Sequence, residues 1–107
     1  MTTLYVDIET FSHSDVRRVG AYRHAEDPHF LILMAAWAHD EGPVRVETDL
    51  ERIRSIPGLL DPGVRKVAHN STFERVCFST ALGMPVGEYL DPQQWDDAIK
   101  RQRETDP

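Results

Sequence analysis

Nine consecutive apolar residues, Phe30–Ala38 (FLILMAAWA), form the centre around which this chain must fold. A membrane-spanning helix needs about 20 such residues, so the run is too short to cross a bilayer. It is long enough for a strand buried on both faces. The segment His39-Asp40-Glu41-Gly42-Pro43 that follows is a turn, after which Val44 and Val46 restart an alternating pattern, so a hairpin is expected. Upstream, Thr3–Glu9 also alternates: Leu4, Val6 and Ile8 lie on one side, Tyr5, Asp7 and Glu9 on the other. Phe11–Asp27 is polar, holds Gly20 and closes on Asp27-Pro28, which predicts a long loop with at most a helical turn.

The second half alternates helix and strand. Thr48 or Asp49 can cap a short helix with Leu50, Ile53 and Ile56 inward, stopped by Pro57-Gly58. Val64–Ala68 is a short strand. From Asn70, the apolar positions Phe73, Val76, Cys77, Thr80 and Ala81 follow helical spacing to Gly83. Leu90–Asp97 fits either element, and residues 98–107 form a polar tail. Three strands before the first helix exclude a simple doubly wound fold. The expected class is α/β, a mixed sheet with helices packed on it.

The chain has 107 residues, enough for one small domain. A net charge of −6 disfavours a module that only grips phosphates, but suits an enzyme that meets phosphate through metal ions. The lone Cys77 and the absence of a basic-then-apolar leader lead to a cytoplasmic expectation.

Two acidic groups stand out. Asp7 and Glu9, at i and i+2 of one strand, share a face with Cα atoms about 6.5 Å apart. Such a pair is either solvated or drawn to a hard divalent cation with oxygen ligands. Ser71 and Glu74 match the S-x-x-E capping box at a helix start. Glu74 also borders the apolar stripe, where it can meet an acid from another strand. His69 is a possible ligand without a partner histidine at ligand spacing. His13, His24 and His29 lie in or beside the loop and are expected to be solvated, while Cys77 is expected in the core.

Asp7-Ile8-Glu9-Thr10 resembles the first motif, D-x-E-T, of the DEDD 3′–5′ exonucleases. Asn70-Ser71-Thr72-Phe73-Glu74 resembles their second motif, although Glu74 stands where Asp is commoner. The stretches VGAYRHAEDP (Val19–Pro28) and VAHNSTFERVCFS (Val67–Ser79) look like family A DNA polymerases of phages and prophages, whose exonuclease domain precedes the polymerase domain. The resemblance implies a ribonuclease-H-like mixed sheet, with an antiparallel hairpin beside the first strand and then parallel strands. It also implies a partial exonuclease domain over residues 1–97. Two Mg²⁺ or Mn²⁺ ions would be held by Asp7, Glu9 and Glu74 for phosphodiester hydrolysis at the 3′ end of single-stranded DNA. Thr10 and Phe11 would lie beside the terminal nucleotide with Asn70 also touching substrate, and the polymerase domain would be the partner. The family's third motif, a Tyr or His followed by a last acid, has no match in the 33 residues after Glu74, so a fragment with little activity alone is expected. The alternative is a non-catalytic interaction or nucleic-acid-binding protein that keeps the fold.

Overall fold

A computed structural model describes residues 2–85 and 87–98, so the expected polar tail lies outside the described residues apart from Ala98. The elements run β1 (Thr3–Phe11), α1 (Val16–Glu26), β2 (Leu31–His39), β3 (Arg45–Glu47), α2 (Leu50–Arg54), β4 (Arg65–Ala68), α3 (Ser71–Ala81), a 3₁₀ turn (Pro92–Gln94) and β5 (Trp95–Asp97). They build a five-stranded sheet in the order β3-β2-β1-β4-β5. The β1–β2 and β2–β3 pairs are antiparallel, whereas β1–β4 and β4–β5 are parallel. The expected α/β class, mixed sheet and hairpin are therefore present.

Alternation along β1 sends Leu4, Val6 and Ile8 into the core, where they join Val76, Cys77 and Phe78 of α3 and Ile53, Ile56 and Leu59. Asp49 caps α2, its side chain accepting the backbone N–H groups of Glu51 and Arg52 at 2.8 and 3.3 Å. Of the three residues expected on the inner side there, Ile53 and Ile56 are buried but Leu50 is exposed. Residues 74–79 of α3 are all buried, a broader contact than one apolar stripe. The helix packs against α1 as well as against β2, β4 and β5.

Two further expectations fail. The segment assigned to a loop contains α1, capped by the Asp15 side chain and kinked at Gly20, whose φ of 84° only glycine adopts readily. Of its apolar residues only Ala25 is buried, and the kink at Gly20 interrupts their spacing. The run Phe30–Ala38 is not buried on both faces: Leu31 and Leu33 are 46% and 49% exposed. The pairing register with β1 shifts between Glu9 and Thr10, where the partners step from Met34 to Ile32 and pass over Leu33. Such bulges re-aim side chains and often border functional sites.

Candidate functional site

The parallel strands β1 and β4 pair from Thr3↔Arg65 to Tyr5↔Val67, and β4 ends at Ala68. Two more residues along β1 bring the chain to Asp7, level with His69, where the neighbouring backbone has already turned toward α3. A cleft of about 540 Å³ opens there, lined by Asp7, Ile8, Val16, His69, Asn70, Phe73 and Glu74. Crevices at the carboxyl ends of parallel strands are common ligand positions in α/β proteins.

Asp7 and Glu9 are exposed on the face of β1 opposite the core. Their cross-strand partners are Ala36 and Met34. Phe11 is on the same face and 45% exposed, so its ring can receive a flat partner. Thr10 alternates to the inner side, and its hydroxyl is 2.9 Å from Nε2 of His24. The structure thus groups Phe11 with the acids and separates Thr10 from them.

Glu74 is only 3% exposed and helps line the cleft. Its Oε2 has no hydrogen-bond partner among the described residues. Burial is the main reason its pKa is pushed up to about 8, and the charges of Asp7 and Asp97 raise it further, against a lowering by its own backbone N–H. A buried carboxyl with no cation partner among the described residues, and with two other acids acting on its charge, is poised either to hold a proton or to bind a cation.

The capping box is not formed. Asn70, rather than Ser71, occupies the N-cap position of α3, and its side chain makes no capping bond. The Ser71 backbone N–H donates instead to Oδ1 of Asp97 at 2.7 Å. Asp97 is in register with Ala68 across the parallel β4–β5 pair, which brings it beside the start of α3. Nothing in the spacing of Asp97 within its own segment signals this role, because the contact exists only once β5 pairs with β4. Asn70 and His69 remain exposed at the cleft rim.

His24, expected in solvent, is 6% exposed. Besides Thr10, it meets the Ser14 carbonyl through Nδ1 at 2.6 Å, and the Ser12 hydroxyl donates to its own carbonyl at 2.8 Å. The cause is α1, which carries His24 inward. His13 and His29 are exposed, as expected. Cys77 is fully buried, and that burial, with the Glu74 charge second, pushes its thiol up to about 12. A further group brings the β1–α1 loop together with the α1–β2 connection. One ligand atom from each of His13, Asp27 and His29 falls within 4.8 Å of the others. The Asp27 carboxyl is held below its ordinary value, first by the His29 backbone N–H and then by the Ser14 hydroxyl.

The chain is 38% identical over 100 residues to a DNA polymerase of Bacillus phage SP02. The match covers 89% of this chain and 15% of that polymerase, so the chain spans about a seventh of its relative's length. No protein-family model matches the chain. No solved structure matches it either.

Proposed function

We propose that this chain is part of the 3′–5′ exonuclease domain of a phage-type DNA polymerase, with a ribonuclease-H-like fold and a divalent-metal site at Asp7, Glu9 and Glu74. The observation that carries the reading is the orphaned, buried Oε2 of Glu74 in a cleft shared with Asp7. Similarity to a phage polymerase supports it, as does the D-x-E-T motif on the β1 strand.

The donor set is all carboxylate oxygen, which suits hard ions such as Mg²⁺ or Mn²⁺. When bound, a pair of such ions activates water and balances charge on the oxygens around phosphorus. Asp7 and Glu74 would hold cations at the cleft, and Glu9 would hold one further along the exposed face. Phe11 would stack on the base of the 3′-terminal nucleotide, because aromatic rings bind single strands without regard to sequence. Asn70, whose amide is not spent on capping, would donate to or accept from the substrate backbone. Thr10 acts through position alone, tying β1 to α1 by its bond to His24. DNA ends and the polymerase domain are the partners in this reading.

These 107 residues hold no match to the third motif, so the chain alone should release nucleotides from a 5′-labelled single strand very weakly. The test is a chimera in which this chain replaces the matching segment of the phage polymerase. Metal-dependent release from the 3′ end, lost on Asp7→Ala while polymerisation persists, is expected. A polymerising chimera whose release is indifferent to Asp7→Ala would overturn the proposal.

A further inference from the structure

We infer that His13, Asp27 and His29 form a second metal site, selective for Zn²⁺ or a similar borderline transition ion, separate from the carboxylate cleft. One ligand atom of each residue already lies within 4.8 Å of the other two. The two imidazole rings stack with centroids 3.9 Å apart and planes 22° from parallel, so one exposed ring must turn for both in-plane lone pairs to meet a single ion. Nδ1 of His29 is 3.4 Å from Oδ1 of Asp27. Two imidazoles and one carboxylate are the donors found in open three-residue zinc sites, where water fills the remaining position. Imidazole nitrogen prefers such ions over Mg²⁺, so the two sites differ in the cation they select.

The backbone around these ligands is fixed before any ion arrives. Ser12 and Ser14 flank His13. The Ser12 hydroxyl donates to the carbonyl of buried His24, and the Ser14 hydroxyl donates to Oδ2 of Asp27, both at 2.8 Å. The Ser14 backbone N–H returns to the Ser12 hydroxyl at 3.0 Å. Across the turn, the His29 backbone N–H donates to Oδ1 of Asp27 at 2.8 Å. Little backbone freedom is left to lose on binding, so the ordering that remains is that of the two imidazole rings. Such bonds are also what orients ligands in known metal sites. The His29 imidazole is exposed, so an ion can enter without opening the core.

The site would also reach Phe11. That ring meets His13 edge-on, with centroids 5.5 Å apart. An ion that fixes His13 therefore bears on the aromatic residue beside Asp7 and Glu9.

Calorimetric titration of the 107-residue chain with Zn²⁺, with and without excess Mg²⁺, tests the inference. We expect saturable binding that Mg²⁺ does not displace. Affinity should fall at least about tenfold in His13→Gln and in His29→Gln, the scale seen when a metal site loses a supporting group. It should be unchanged in Asp7→Asn. Both histidines are exposed, so the Gln variants should melt like the parent, and their thermal midpoints verify this. No Zn²⁺ binding, or binding that both Gln variants retain, would overturn the inference. Binding lost only in Asp7→Asn would move the ion to the carboxylate cleft and overturn it equally.

Discussion

Asp97 caps the helix that carries Glu74: its Oδ1 accepts the Ser71 backbone N–H at 2.7 Å. The last described strand thereby holds the start of α3, and with it one wall of the cleft. The same carboxylate contributes to raising the Glu74 pKa. Removing it should act on both stability and metal binding. Asp97→Ala is expected to destabilise the chain by about 1 kcal/mol, the usual worth of a helix cap. Asp97→Asn keeps an acceptor oxygen and should lose much less. Urea unfolding of the two variants separates cap from charge; equal losses would contradict the capping role.

Asn70 gives the opposite expectation. It stands at an N-cap position, yet its side chain caps nothing. An ordinary cap residue would cost about 1 kcal/mol when replaced by Ala. Here Asn70→Ala should cost under ~0.5 kcal/mol while weakening capture of a single-stranded DNA end. Thermal melting and fluorescence anisotropy with a labelled oligonucleotide measure the two effects. A stability loss of ordinary cap size with unchanged DNA capture would return Asn70 to a structural role.

The pH dependence of stability follows from Glu74. Its ordinary carboxyl value is 4.5 and its folded value is about 8. Between these values the folded chain binds more protons than the unfolded one. The stabilising contribution is therefore full below pH 4.5 and is lost as pH rises through about 8. At ~1.4 kcal/mol per pKa unit, the loss amounts to several kcal/mol. Glu74→Gln keeps the neutral form at every pH, so the variant should gain on the parent steadily from acid to alkaline buffer. Mg²⁺ should narrow the gap at high pH, because it binds the ionised parent. Parallel stability profiles for parent and variant in denaturant titrations would contradict this account of the carboxyl.

The i, i+2 alternation of Leu4, Val6 and Ile8 was enough to place β1 and to put Asp7 and Glu9 on one face, because strand geometry leaves no other choice. The helical spacing of Phe73, Val76 and Cys77 placed α3 equally well. What escaped was set by contacts distant in the chain. His24 is buried because Thr10 and Ser14 meet it across the loop, and local polarity concealed the helix around it. Glu74 matched a capping box in its spacing, but Asp97 takes the Ser71 N–H from a strand 26 residues away, which leaves Glu74 to the cleft. Leu31 and Leu33 read as core from their apolar run, yet a register shift against β1 exposes them.

If Asp7 and Glu74 share a cation, Mn²⁺ titration of the chain at about pH 8, followed by calorimetry, reads it without any other component, since burial pushes the Glu74 pKa up to about 8. Saturable binding is expected, weakened at least about tenfold by Asp7→Asn and again by Glu74→Gln, each the loss of one ligand. His13→Gln should leave it unchanged. Mn²⁺ binding of equal strength in the parent, Asp7→Asn and Glu74→Gln would rule out a cation held between these two carboxylates.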